Sequence, residues 1–131
     1  MNKVELETAI DAYFANHLDK AYWESLSVET RSGAIAMALA DIGAMVNGLT
    51  IDKIYSADSA AVKAVAEQAV FLARNYADMT EGKIATSESV EGVSTGYSLI
   101  GSSFIIAPRA EAFIKQAKRE ILGNSVRLQR G

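Results

Sequence analysis

The chain has 131 residues, of which 50% are hydrophobic, with a formal net charge of -3, one His and no Cys. That length suits one folded domain with its own core. The absence of Cys excludes disulfides and thiolate chemistry, and the single His17 excludes zinc sites built on several imidazoles. Because acidic residues follow Met1 where a secretory signal would be apolar, we expect no export. The longest apolar run, 33–51, contains Asp41 and Asn47, so no membrane span is predicted.

Charge is distributed unevenly along the chain. Residues 1–108 carry 7 basic and 14 acidic side chains, net -7, whereas residues 109–131 carry 6 basic and 2 acidic ones, net +4. An acidic body with a basic end could pair head to tail with further copies, or contact an acidic partner. The alternative is that the helix dipole enriches Lys and Arg near a helix carboxyl end.

Apolar periodicity predicts two helices in the first part of the chain. The first is expected over about 4–17, where four apolar residues recur at helical spacing: Leu6, Ile10, Tyr13 and Phe14. Residues 19–26, with the sequence DKAYWESL, are predicted to be a connector. Ser27 is a suitable amino-terminal cap for the second helix, and Asn47-Gly48 is a suitable stop. Its apolar stripe comprises Ile35, Leu39, Ile42 and Val46.

Two further helices are predicted on either side of a polar segment. Asp58 or Ser59 caps a third helix, which has an Ala-rich stripe that favours close helix packing. That stripe comprises Val62, Val65, Ala69, Leu72 and Tyr76. Pro108 fits the first position of a closing helix, and Gly123 is expected to end it. The buried face of the closing helix is predicted to comprise Phe113, Ile114, Ala117, Ile121 and Leu122.

The segment between these helices is unusually polar and small. Ser, Thr and Gly fill 11 of the 18 positions of residues 86–103. From Lys83 the spacing of apolar residues changes from the 3.6-residue period of a helix to the two-residue period of a strand. Glu91-Gly92 is predicted to be a turn, and residues 104–106 are predicted to be a further strand. The sequence therefore predicts a β-ribbon over about 83–107. Because such a ribbon contributes little to a core of its own, we expect another surface to complete its burial, which favours assembly over catalysis.

The predicted fold is mainly α: a small helical bundle with a long β-hairpin or ribbon inserted before the last helix and an extended carboxyl-terminal tail. We predict a single domain over 1–131, with its helical core at about 4–82 and 108–123. The tail, residues 124–131, has Val126 and Leu128 alternating with polar residues. This alternation suits a strand that adds to the sheet edge of a neighbour.

The sequence nominates no catalytic, cofactor or metal site. His17 lies near the end of the first helix, where an imidazolium complements the dipole, and no nucleophile or orienting acid accompanies it. Gly82-Lys83 lacks the flanking Gly and Ser or Thr of a phosphate-binding loop. Glu88 and Glu91 fall on opposite faces of a strand, which suits solvated charges or contacts to a basic neighbour. We therefore predict a protein that is not an enzyme and has no cofactor.

Nucleic-acid binding is an alternative that the basic end suggests. Candidate DNA-facing cations occur on the last helix: Arg109, Lys115, Lys118 and Arg119. Arg127 and Arg130 follow them, and Tyr97 and Phe104 could stack on bases or fill a protein interface instead. The acidic body and a sequence pI of about 5.1 oppose the binding of a polyanion.

The order of these segments resembles that of tailed-bacteriophage head-tail connector proteins, also called adaptor or head-completion proteins. Residues 7–42 resemble their start, with an AYF-type helix, a Trp, a Leu-Ser helix cap and an Ala-rich helix. Residues 65–75, VAEQAVFLARN, resemble their next helix. Residues 87–99 and 106–114 resemble their long inserted loop and closing helix. Some such proteins are described as DnaT-like single-strand DNA-binding proteins.

The resemblance implies a structural virion protein that forms a ring, usually of twelve copies, beneath the portal at the capsid vertex. The ring would extend the DNA channel toward the tail without sequence-specific DNA binding. The implied partners are further copies, the portal protein and tail-completion or tail proteins. The protein would be made in the bacterial host cytoplasm and located at the head-tail interface of the virion. Contacts to neighbouring copies or the portal are assigned to Glu88, Val90, Val93, Tyr97, Leu99, Val126, Arg127, Leu128 and Arg130. The alternative is a single-stranded DNA-binding accessory protein.

Overall fold

The computed structural model describes residues 1–47, 49–80, 98–100 and 104–130, with side chains described for 1–47, 49–76 and 105–121. The elements in these ranges are α1 (Lys3–Phe14), α2 (Lys20–Ser25), α3 (Val28–Met45), a 3-10 helix (Ile51–Lys53), α4 (Ala60–Thr80), β1 (Ser98–Ile100), β2 (Phe104–Ile106) and α5 (Pro108–Arg130). The predicted mainly α fold with a ribbon before the last helix is confirmed. Within the described ranges, no helix has both the length and the apolar character needed to cross a membrane.

Side-chain caps mark the start of three of the long helices. Asn2 accepts the Glu5 N–H at 2.8 Å, and Glu5 accepts the Asn2 N–H at 2.8 Å, so a complete capping box precedes α1. Ser27 accepts the backbone N–H three residues further on at 3.1 Å and begins α3. Ser59 accepts in the same way at 3.3 Å and begins α4. The cap predicted at Ser27 is confirmed, and of the two candidates predicted for α4, Asp58 and Ser59, the cap is Ser59. Each cap satisfies a backbone donor that helix geometry leaves unpaired.

α4 is the central helix of the bundle and packs against α1, α3 and α5. Most of its side chains from Ala60 to Leu72 are buried. Small side chains let the neighbouring helices approach, which explains the Ala-rich sequence of this helix. The predicted stripe is confirmed from Val62 to Leu72, but Tyr76 is 49% exposed. Tyr76 lines a groove together with Gly33 of α3. Gly33 has no side chain, and a Cβ added at this position would meet no atom within 4 Å, so α3 does not cover Tyr76.

Residues 19–26, predicted as a connector, contain the short helix α2. A helix of six residues is unstable alone, so tertiary packing must stabilise it. Trp23 is 1% exposed and stacks on Phe14, with ring centroids 4.8 Å apart. Its Nε1–H donates to Asp11 Oδ1 at 2.9 Å. This one large side chain fixes α2 in the core, and helical periodicity cannot be recognised over so few residues.

The ribbon is described where it returns to the helical body. β1 and β2 pair antiparallel, with Leu99 opposite Ile105, so the predicted strand at 104–106 is confirmed. The predicted alternation over residues 84–97 and its turn at Glu91-Gly92 lie outside the described residues. Ile106 and Ala107 are buried, and the end of β2 therefore anchors the ribbon in the core.

α5 begins at Pro108 as predicted and continues to Arg130. Its described buried residues are Ala110, Ile114 and Ala117, with Phe113 and Ile121 partly buried. Gly123 is predicted to end this helix, whereas the helical backbone continues to Arg130. A Gly inside a helix costs only about 1 kcal/mol relative to Ala, and no Pro follows Gly123. Arg127 and Arg130 lie in the last turns of this helical backbone.

Candidate interaction site at the base of the ribbon

Gln68 on α4 holds the base of the ribbon, which we define as residues 105–109 between β2 and the first turn of α5. The Gln68 side chain is fully buried, and its Oε1 accepts the Ala107 N–H at 2.8 Å. Its Nε2 donates to the Ile105 carbonyl and to Asp41 Oδ2 on α3, each at 3.0 Å. One amide group therefore joins α3, α4 and the ribbon base, and it pairs backbone groups that burial would otherwise leave unsatisfied.

The three partners of Gln68 impose a single orientation on its amide. Asp41 and Ile105 present oxygen acceptors, whereas Ala107 presents an N–H donor, so the amide nitrogen and oxygen cannot exchange places. Burial raises the pKa of Asp41 above its ordinary value, and the hydrogen bond from Gln68 offsets only part of this rise. The amide therefore fixes both the position and the rotation of the ribbon base on α4.

The adjacent residue, Glu67, binds three donors on one carboxylate oxygen. We call Tyr13, His17, Glu67 and Arg109 the Glu67 cluster. Oε2 of Glu67 accepts from the Tyr13 hydroxyl at 2.5 Å and from His17 Nε2 at 2.7 Å, and it forms an ion pair with Arg109 Nε at 3.2 Å. The Glu67 side chain is 3% exposed and that of Arg109 is 67% exposed. A buried carboxylate is thus paired with a cation at the surface, as its desolvation requires.

The cluster also determines the charge states of its donors. Burial, together with the hydrogen bond and negative charge of Glu67, raises the pKa of Tyr13 to about 12. Hydrogen bonds with Tyr13 and Glu67 raise the pKa of the Arg109 guanidinium. At neutral pH, Tyr13 therefore remains an uncharged donor and Arg109 a charged one. The ribbon base is held to α1 and α4 by a charge-assisted network.

Both ring nitrogens of His17 are engaged. Nδ1 accepts the Asp19 backbone N–H at 2.9 Å, which places the proton of the neutral ring on Nε2, facing Glu67. A general base needs a free lone pair directed at a substrate, and neither nitrogen offers one. This geometry favours a structural role for His17, in line with the sequence prediction. Among the described residues, no three His, Asp or Glu side chains are grouped as metal ligands.

A pocket of about 170 Å³ opens beside the Glu67 cluster. Two arginines line it, Arg74 from α4 and Arg109 from the ribbon base. Arg74 Nη2 donates to Asp19 Oδ1 at 2.7 Å, and its guanidinium lies 4.1 Å from the centroid of the Tyr22 ring. The ion pair and the ring fix Arg74 in place at the rim of the pocket.

A second and larger depression lies between α3 and α4. This groove has a volume of about 400 Å³ and is mainly apolar. Its lining comprises Thr30, Gly33, Ala34, Met37, Leu72, Ala73 and Tyr76. Met37 and Tyr76 are 43% and 49% exposed, so the groove presents apolar side chains to solvent.

The residues predicted to contact neighbouring copies or the portal fall in two parts of the chain. Leu99 lies in β1, whereas Glu88, Val90, Val93 and Tyr97 lie outside the described residues. The backbone of the other four is helical in the single chain, and their predicted strand addition to a neighbouring subunit stays a prediction. Those four are Val126, Arg127, Leu128 and Arg130.

The candidate DNA-facing residues are placed by α5. Lys115, Lys118 and Arg119 are exposed, as a nucleic-acid contact or a protein contact requires. Arg109 was grouped with them in the sequence analysis, but its Nε binds Glu67. The basic face of α5 therefore begins about two turns after the helix starts.

The sequence analysis did not single out Glu67 or Gln68. The available signal is that these two polar residues interrupt the otherwise apolar run AVAEQAVFLA of residues 64–73. Adjacent residues on a helix point in directions about 100° apart, so a central helix must bury both and supply partners. Tyr13, Asp41 and Ala107, which supply those partners, are too far away in sequence to be identified without the fold.

Comparisons of the chain with protein-family models, with curated proteins and with solved structures return no match.

Proposed function

We propose that this protein is a structural subunit of a phage head-tail adaptor, a homo-oligomeric ring that docks on the portal and extends the DNA channel toward the tail. The observation that carries the proposal is a helical bundle into which a ribbon is inserted before the last helix, with its base fixed by Gln68. The resemblance of residues 7–42, 65–75, 87–99 and 106–114 to adaptor proteins supports the same assignment. In this proposal the protein is located at the head-tail interface of the virion.

The division of apolar residues between bundle and ribbon supports an assembly role. The described residues form a continuous core around large side chains such as Phe14, Trp23, Ile42 and Ile106. By contrast, the sequence of residues 86–98 consists mostly of small and polar residues. A segment of this composition gains most from pairing with a surface supplied by another subunit, because its backbone groups need partners.

The distribution of exposed charge suits contacts between unlike faces of successive subunits. α3 and α5 both pack on α4 but use different sides of it, since Leu72 lines the α3 groove and Arg74 the pocket near α5. Lys115, Lys118 and Arg119 are exposed on α5, and the exposed Glu24 and Glu29 lie near the start of α3. Contacts between two different faces are the kind that close into rings.

Assembly with the portal tests this proposal directly. The full-length chain is co-expressed with the portal of its own phage, and complexes are measured by size-exclusion chromatography with light scattering and by electron microscopy. We expect a ring of copies added to the portal. A variant in which a short Gly linker replaces residues 87–97 should remain folded, by circular dichroism, and should fail to add to the portal. A portal that never acquires the full-length chain contradicts the proposal.

The exposed cations of α5 favour one second candidate, single-stranded DNA binding. This function predicts tight binding of an oligonucleotide that weakens steeply as salt rises, and its loss when Lys115, Lys118 and Arg119 are all changed to Glu. The adaptor function predicts only weak binding at physiological salt, in the range of about 10⁻⁴ to 10⁻⁶ M that is typical of non-specific contacts. Fluorescence anisotropy with a labelled oligonucleotide separates the two functions.

A further inference from the structure

We propose that His17 is a proton-controlled switch: when its ring gains a second proton, it competes with Arg74 and Arg109 for the two carboxylates that attach α2 and the ribbon base to α4. This inference concerns contacts within one subunit, and it does not depend on the proposed function.

His17 lies between two carboxylates, each of which already binds an arginine. Its Nε2 is 2.7 Å from Glu67 Oε2, and the same oxygen is 3.2 Å from Arg109 Nε. Its Nδ1 is 3.8 Å from Asp19 Oδ2, and the other oxygen of that carboxylate is 2.7 Å from Arg74 Nη2. The first ion pair joins the ribbon base to α4, and the second joins the amino-terminal end of α2 to α4. One ring therefore contacts or approaches both attachments.

The neutral ring leaves both ion pairs undisturbed. Its Nε2–H donates to Glu67, and its Nδ1 accepts the backbone N–H of Asp19 at 2.9 Å. The bond from the backbone requires a lone pair on Nδ1, so this geometry belongs to the Nε2–H tautomer. In this state the two carboxylates and the two guanidinium groups balance one another in charge.

A second proton changes the partner of Nδ1. The proton takes the lone pair that accepted the Asp19 N–H, and two donors then face each other. Oδ2 of the same residue is 3.8 Å from Nδ1, about 1 Å beyond the length of a charge-assisted hydrogen bond. A small rotation of the Asp19 side chain supplies this acceptor. The rotation weakens the bond to Arg74, because one negative charge is then shared by two cations.

The proton also acts on the other side of the ring. The imidazolium forms a charge-assisted bond with Glu67, which is 3% exposed and then serves two cations, His17 and Arg109. The ring is 10% exposed and its centroid lies 4.9 Å from that of Phe14, so it exchanges partners in place rather than turning into solvent. The titratable groups that face the ring or its partners are Tyr13 from α1, Asp19 at the start of α2, Glu67 and Arg74 from α4 and Arg109 from α5.

The test is an NMR titration of the ¹⁵N-labelled full-length protein from about pH 8 to about pH 5, a range that includes the ordinary titration of imidazole at about pH 6.5. The ring nitrogens of His17 report its tautomer and protonation, and the Asp19 amide reports the loss of its acceptor. The guanidinium resonances of Arg74 and Arg109 report the two ion pairs. Arg31, whose ion pair lies outside the Glu67 cluster, is the internal control.

We expect the Asp19 amide and both guanidinium groups to shift with the midpoint of the His17 ring, whereas Arg31 does not follow it. Asp19→Asn removes the carboxylate and keeps the backbone N–H. In this variant the His17 ring should still titrate and Arg109 should still follow it, but Arg74 should not. His17→Gln should remove the shared midpoint from both guanidinium groups, and circular dichroism checks that each variant is folded.

Three results overturn the inference. The first is a neutral His17 ring that carries its proton on Nδ1. The second is a wild-type protein in which the ring does not titrate over this range, or titrates while Arg74 and Arg109 stay unchanged. The third is an Asp19→Asn variant in which Arg74 still follows the ring, since the coupling then bypasses the carboxylate. The wild-type titration alone decides the first two results, whether or not a variant folds.

Discussion

Gln68→Leu should loosen the ribbon base and destabilise the protein. Leu has nearly the volume of Gln, so the change removes hydrogen bonds without opening a large cavity. Three hydrogen bonds are lost, those to Ala107, Ile105 and Asp41. The Ala107 N–H and the Ile105 carbonyl lose their side-chain partner, whereas Asp41 is only half-buried and can recruit water.

The magnitude follows from these partners. A buried donor or acceptor without a partner costs about 1–3 kcal/mol, so two of them give an expected loss of roughly 2–6 kcal/mol. That is a large part of the 5–15 kcal/mol that is typical of a domain's stability. The loss is measured by urea unfolding followed through Trp23 fluorescence. Hydrogen exchange of the Ala107 amide should accelerate more than that of amides in α3.

Gln116→Leu is the matched control, because Gln116 is exposed on α5 and its amide donates to Glu120 at 3.3 Å. Its effect on the free energy of unfolding should stay within about 0.5 kcal/mol. If Gln68→Leu costs no more than this control and the Ala107 amide stays protected, the amide network does not hold the ribbon base.

Three further substitutions test the packing of Leu72 and the two groups whose pKa values are raised by burial, Tyr13 and Asp41. Leu72→Ala should lower the free energy of unfolding in urea by about 2–3 kcal/mol, because Leu72 is 3% exposed but borders an open groove. Met37→Ala on the opposite wall of this groove is the control and should cost less than half as much. Equal losses for the two variants would contradict this packing. Tyr13→Phe should cost about 1–3 kcal/mol at pH 7 through the lost bond to Glu67. Because the folded pKa of Tyr13 is about 12 and its ordinary value is 10.0, wild-type stability should fall as pH rises through that window, and the Phe variant should lose less there. Burial raises the pKa of Asp41, so its contribution to stability should decrease as pH rises above its ordinary pKa of 3.8. Asp41→Asn should flatten the pH dependence of unfolding in that range, and an unchanged slope would show that Asp41 titrates alike in both states.

Local chemistry in the sequence determined where most elements begin. Ser27 and Ser59 satisfy backbone donors that lie three residues away, and Pro108 suits a helix start by its own fixed φ angle. The Ala-rich stripe of α4 likewise predicted close helix packing, because small residues let neighbouring helices approach. These features need only neighbours along the chain, and the structure confirms them.

Tertiary structure decided the rest. α2 is stabilised by the packing of Trp23 against Phe14. The backbone of α5 continues past Gly123 to Arg130, since a single Gly lowers helix propensity without ending the helix. The amide of Gln68 and the carboxylate of Glu67 acquire their roles only when α1, α3 and the ribbon base meet on α4. A hydrogen bond acts over about 3 Å in space, whereas its partners here lie from 27 to 54 residues apart in sequence. No pattern along the chain encodes such a pairing, and for that reason only the fold reveals the site.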